Sequence, residues 1–197
     1  MHAAEQDRPD VASRRQAWFE EQPDLDRKCL VFTDETAASI RMARLRGRAP
    51  RGQRCRTAMP HGHWKATTFV GTLRLGGMTT PMVMDGPMNG PAFLAYVEQM
   101  LASTLRQGDV VIMDNLPAHK VAGVRAAIKA KDARLRLLPP HSPHFKPIEH
   151  AFSKLKALLR RAAARTVPNL WAAIAAALAP TISPHAGMNR IEQNLLV

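Results

Sequence analysis

Leu30-Val31-Phe32-Thr33-Asp34-Glu35 and Val110-Val111-Ile112-Met113-Asp114-Asn115 decide the fold of this chain. Each is a short apolar run that stops at an acid, the pattern of a buried strand. A third acid, Glu149 in Pro147-Ile148-Glu149-His150, opens an amphipathic helix instead. Carboxylates carried on two strand ends and one helix are how a fold gathers oxygen ligands from distant positions. Mg²⁺ takes oxygen ligands in a tight octahedron and keeps several waters. Two such ions about 4 Å apart can activate an attacking oxygen and stabilise a leaving one at a phosphodiester.

Working outward, residues 1–26 are polar and read as a linker or a tail packed on the domain, with a short helix over 13–21 anchored by Trp18 and Phe19. A strand over 29–34 follows. Residues 35–63 form a basic insertion or loose hairpin carrying Arg41, Arg44, Arg46, Arg48, Arg51, Arg54 and Arg56, broken by Gly47, Pro50, Gly52 and Pro60. Alternation over 65–75 and 78–84, around Gly76-Gly77, predicts two hairpin strands. Helical periodicity over 89–106 starts at Pro91, where a missing N–H costs little. Further elements are a strand at 109–113, a helix at 120–131, a strand at 135–138 and helices at 147–164 and 168–179. The order β-β-β-α-β-α-β-α-α gives an α/β fold with a mixed five-stranded sheet flanked by helices. A ribonuclease-H-like arrangement places acids where Asp34, Asp114 and Glu149 stand.

Each acid also has a structural reading: Asp34 as a turn or helix cap, Asp114 as a turn or cap before Pro117, and Glu149 at the third helical position behind a Lys146 N-cap. Asp85 and Asp109, at turn edges beside glycines, read as structural. In the last core helix Ile148, Ala151, Phe152, Leu155, Leu158 and Leu159 form the apolar stripe. Glu149, Ser153, Lys156 and Arg160 form the next one, aiming Lys156 and Arg160 at a phosphate backbone.

The net charge of +12 in 197 residues favours a polyanionic partner, nucleic acid above all. Cys29 and Cys55 are too few for a disulfide framework and fit a reducing cytosol. No apolar run approaches the ~18–20 residues of a membrane span. The first residues lack the basic-then-apolar order of a signal peptide.

Several motifs stand in one order: Thr33-Asp34-Glu35-Thr36, Gly47-Arg48-Ala49-Pro50-Arg51-Gly52, Pro60-His61-Gly62-His63-Trp64, Asp85-Gly86-Pro87, Val111 to Leu116 with His119-Lys120, and Leu138 to Pro143 running into Pro147-Ile148-Glu149. With them the chain resembles the DDE catalytic domain of bacterial insertion-sequence transposases of the 630 family, relatives of mariner, over roughly residues 2–180. Positions 115–148, 34 residues, separate Asp114 from Glu149, a spacing typical of that group. The resemblance implies a 27–180 catalytic domain and a triad of Asp34, Asp114 and Glu149 that binds two Mg²⁺ or Mn²⁺ ions. It also implies cleavage of transposon ends, attack of the freed 3′-OH on target DNA at TA sites, and self-association on DNA. Asn115 and His119 fall behind the metals or on the DNA side. Arg48, Arg51, Arg54, His119, Lys120, Lys146, Lys156 and Arg160 are the expected DNA contacts. His61 and His63 alone are weak zinc ligands.

The chain departs from the pattern in three places. The usual helix-turn-helix is not in it, as in the second frame of a two-frame element or a truncated, regulatory remnant. Residues 181–197 form an atypical tail. Lys146 stands where the family has Asn, a change costing about 1 kcal/mol as a helix cap and putting a cation at the positive end of a helix. The expected location is the bacterial cytoplasm, at the nucleoid.

Overall fold

β1, Leu30–Ser39, lies inside the sheet and organises it. The structure is a computed structural model, and it describes residues 5, 8–56, 58, 66–179 and 189–190. β1 pairs antiparallel with β2, Ala66–Arg74, which turns at Gly76-Gly77 into β3, Gly77–Asp85. On its other side β1 pairs parallel with β4, Val110–Met113, and β4 pairs parallel with β5, Arg134–Leu137. The pair Asn189–Arg190, β6, adds parallel to the outer edge of β3, so the described sheet has six strands in the order β5-β4-β1-β2-β3-β6. The five core strands make the mixed sheet that the sequence predicts.

The expected boundaries move in places. β1 does not stop at Asp34 but runs five residues further, because Thr36 and Ala38 keep pointing into the core by the period of two. Asp34 is therefore a mid-strand residue, neither turn nor cap. The 89–106 helix is present as α2, Gly90–Tyr96, a π-helical turn, Val97–Leu101, and a last turn α3, Ala102–Thr104. Asn89 caps it by accepting from the Ala92 N–H at 2.9 Å. A 3₁₀ turn, Pro117–Lys120, precedes α4, Ala122–Lys129.

Helices cover both faces. Val31, Val70, Met82, Val111 and Met113 pack against Phe93, Tyr96, Val97, Leu101, Val124 and Ile128 of the α2–α4 layer. On the opposite face Ala38, Phe69, Met78 and Val83 meet α5, Ile148–Ala162, and α6, Val167–Leu178. Phe69 and Phe152 sit edge to face at 5.8 Å. Leu158 leaves the expected stripe: it is 46% exposed while Ile148, Phe152, Leu155 and Leu159 are buried. Position 158 lies just round the helix from that seam.

The first helix is longer than expected. α1 spans Pro9–Glu21 and buries Val11 and Trp18, seven residues apart on one face. Phe19, expected beside Trp18 as an anchor, is 62% exposed because one residue turns about 100° round the helix. Trp18 packs on Val110, Ile112 and Leu138. Arg15 donates to the His141 carbonyl at 3.0 Å and Ser142 Oγ at 2.9 Å, tying α1 to the turn before α5. Residues 8–21 thus pack against the sheet and the turn before α5.

Residues 43–56 hold no helix or strand, and Arg48, Arg51 and Arg54 are exposed there. Arg165, beyond α5, donates to the Ile40 and Met42 carbonyls at 3.1 Å each and holds the base of this basic loop. Cys29 and Cys55 are both free thiols. His61, His63, Lys65 and most of the 181–197 tail lie outside the described residues. No helix among the described residues is long and apolar enough to cross a membrane.

Candidate active site: three carboxylates around a lysine

The parallel register Phe32↔Ile112 between β1 and β4 places Asp34 beside Asp114, two residues further along each chain. Both acids share parity with Phe32 and Ile112, so they face α5 and α1 rather than the α2–α4 layer. Gly71 of β2 pairs with Asp34 from the other side. α5 then begins at Ile148 and brings Glu149 to the same place in its first turn.

Lys146 completes the cluster. Its Nζ donates to Asp34 Oδ2 at 2.7 Å and lies 3.6 Å from Asp114 Oδ2 and 3.5 Å from Glu149 Oε1. Three carboxylates from three elements converge on one cationic nitrogen. This corrects two expectations for Lys146. It is not the N-cap of α5, which is Pro147 without a side-chain cap bond. It is not free to touch DNA either, because its side chain is turned inward and only 12% exposed.

Behind Asp114 stands His119, fully buried and stacked against Phe93 with ring centroids 4.2 Å apart. Its Nδ1 donates to the Asp114 carbonyl at 3.2 Å and lies 2.6 Å from Asp114 Oδ1, and its Nε2 donates to Glu35 Oε2 at 3.0 Å. A carboxylate only accepts, so both ring nitrogens carry protons and the ring is an imidazolium. His119, expected among the DNA contacts, is fully buried here and holds two acids instead. Glu35 was not among the expected site residues. Adjacent to Asp34 on a strand, it points through the sheet to the opposite face, and the sequence signal for it was that alternation alone. Asp114 Oδ1 is engaged by His119, which leaves Oδ2 turned toward Lys146.

These contacts set the charges. Burial pushes the Asp34 carboxyl up to about 6, against the pull of the Lys146 ammonium. Burial raises Asp114 as well, but the His119 hydrogen bond and charge outweigh it and hold Asp114 below the ordinary carboxylate value. Burial disfavours a charged His119, yet Asp114 and Glu35 lift it to about 10. Burial also works against the Lys146 charge, and Asp34, then Asp114 and Glu149, overcome it and raise its pKa. At neutral pH the site holds alternating charges in contact.

Of the other expected residues, Lys120 is exposed beside the site, Lys156 and Arg160 are half-buried along α5, and Asn115 is half-buried after Asp114. Asp109 is structural as expected: it accepts from Arg74 at 2.5 and 3.1 Å and from the Arg106 N–H at 2.7 Å. Asp85 ends β3, and its Oδ1 is buried without a hydrogen-bond partner.

The donor set fits a hard divalent cation in kind, since three carboxylate oxygens gather at a point already chosen by a positive charge. Among the described residues no group of three such side chains is near enough to hold a metal ion as it stands. The carboxylates are spread to the reach of an ammonium.

The mixed sheet, ribonuclease-H-like in its arrangement, carries acids on β1, after β4 and at the head of α5. A family profile described as DDE superfamily endonuclease matches residues 29–171, and the chain belongs to that family. A search of curated proteins gave no match. Among solved structures the fold is similar to the Mos1 strand transfer complex, at 16% identity and TM-score 0.63, over 82% of this chain and 50% of that one. It is similar to the Mos1 mariner paired end complex with Mn, at 16% identity and TM-score 0.55, over 88% and 60%. It is also similar to the catalytic domain of Mos1 mariner transposase, at 14% identity and TM-score 0.50, over 88% and 89%. The chain spans about half the length of the protein in the first of these.

Proposed function

We propose that this chain is the catalytic core of a DNA transposase of the bacterial insertion-sequence 630 group, cutting transposon ends and joining them to target DNA at TA sites. The observation that carries this reading is the convergence of Asp34, Asp114 and Glu149 on a single cationic point. Their β1, post-β4 and α5 placement in a DDE superfamily fold supports it. Asp34, Asp114 and Glu149 would hold Mg²⁺ or Mn²⁺, as the similarity to a Mos1 complex with Mn supports. Bound there, the ions supply Lewis-acid activation of the attacking oxygen and stabilisation of the leaving one.

The chain's own residues prepare that site. His119 fixes the Asp114 carboxylate through one oxygen and presents the other. Burial of Asp34 keeps water from competing for its oxygens. Arg48, Arg51, Arg54 and Lys120 are exposed, and Lys156 and Arg160 lie along α5; they supply charge for DNA backbone contacts that neutralise phosphate and release counterions. DNA-bound self-association, a helix-turn-helix supplied from an upstream frame and a cytoplasmic, nucleoid-associated location complete the reading.

A second reading, a regulatory remnant that binds DNA without cutting it, is favoured by the Lys146 ammonium amid the acids. Mn²⁺-dependent nicking of supercoiled plasmid separates the two. The native chain nicks and Asp114→Asn does not if the site is a live nuclease. DNA binding without nicking by the native chain gives the remnant reading, and equal nicking by both chains means a contaminating nuclease.

A further inference from the structure

We propose that Lys146 is a built-in cation of the acid cluster that takes the place of one of the two divalent ions, so that the chain holds a single exchangeable Mg²⁺ or Mn²⁺. This rests on the acids being a metal site and concerns how many ions that site accepts. The ammonium donates at 2.7 Å to Asp34, the most buried of the three acids, and stands within 3.6 Å of the other two. An ion bridging the same carboxylates would need the space that Nζ fills, because Mg²⁺ draws its oxygens to about 2.1 Å.

Charge balance points the same way. His119 and Glu35 neutralise one another behind the sheet, which leaves three carboxylates on the site side. One divalent ion and one ammonium cancel those three negative charges. Two divalent ions with the ammonium retained would leave an excess positive charge in a half-buried cleft, where unpaired charge is costly. Lys146 is also tethered, held at Pro147 by the start of α5, so its local concentration does not fall with dilution. A mobile second ion competes against a ligand that cannot leave.

The test is a count of bound Mn²⁺ on the full chain, by equilibrium dialysis or from the free-ion paramagnetic resonance signal. Lys146→Asn and Lys146→Met are measured in parallel, with folding checked by circular dichroism. The native chain is expected to bind one ion. The variants are expected to bind two, the second at least about tenfold more tightly than any second ion on the native chain. In EDTA the variants should melt below the native chain, because three carboxylates lose their shared cation, and Mn²⁺ should close that gap. A native count of none or two overturns the inference, and it decides even if neither variant folds. Folded variants that bind no more ions than the native chain overturn it as well. Asp114→Asn guards the underlying reading: unchanged Mn²⁺ binding there means the acids are not the metal site, a failure distinct from a wrong count.

Discussion

Replacing His119 by Phe tests the support behind the acids. The ring volume and the contact with Phe93 are retained, while both bonds to carboxylates are lost. Two hydrogen bonds to charged groups contribute roughly 1.5–3 kcal/mol each. The rise of the His119 pKa from 6.5 to about 10 corresponds to roughly 5 kcal/mol of preference for the charged ring. That preference is already net of the cost of burying the charge; water reaching the partly exposed Asp114 and Glu35 once they lose their cation softens the loss to about 3–4 kcal/mol. For a chain of this size that is a drop of roughly 6–16 °C in Tm. A His whose pKa is raised on folding stabilises the fold fully below its unfolded pKa, and that contribution fades as pH rises through the folded value. The native-minus-variant difference should therefore be full below pH 6.5, shrink progressively as pH rises from there, and reach its floor above about 10. Urea denaturation of both chains in metal-free buffer, from mildly acidic pH to above the folded pKa, measures it, and the subtraction cancels other titrations. A difference below about 1 kcal/mol at neutral pH, or one that does not narrow at high pH, would refute the assignment of an imidazolium bridging Asp114 and Glu35.

Other expectations follow from single contacts. Arg74→Met strips the buried Asp109 of its cation and should cost about 3–5 kcal/mol in urea denaturation; a near-neutral result would mean that solvent reaches that carboxylate. Ala163 ends α5 at φ 50°, a left-handed cap that favours glycine. Ala163→Gly should raise stability by about 0.5–1 kcal/mol, and a loss would mean the cap is reshaped. Replacing Arg48, Arg51 and Arg54 together by Ala should leave Tm within about 2 °C and flatten the salt dependence of DNA binding by up to about 2.7 in log–log slope. An unchanged slope would take the basic loop off the DNA.

The sheet and the acids that it brings together were legible because their signals are local. Val110 to Met113 is an apolar run too short for a helix, and Asp114 stops it. What was not legible needed contacts across the chain. β1 was read short because Thr36, Ala37, Ala38 and Ser39 carry little hydrophobicity, yet neighbours on both sides complete their burial. Glu35 and His119 lie 84 residues apart, and only folding reveals one as the other's partner. Lys146 looked like a helix cap from its position, whereas its long side chain reaches an acid 112 residues earlier. The π-helical turn left no trace, since Val97, Met100 and Leu101 satisfy an ordinary helical stripe equally well.

Asp34 and Glu35 are consecutive, yet they belong to opposite sides of the sheet. A slip of β1 by a single residue would exchange them. Glutamate would then face the lysine, and the shorter aspartate would be left to reach the histidine. Both acids would survive such an error, but each would stand in the other's post. An internal strand clamped between β2 and β4 is protected against it, because slipping would break hydrogen bonds along two ladders at once. The central place of β1 thus acts as proofreading, ensuring that each neighbouring carboxylate reports to its own side of the molecule.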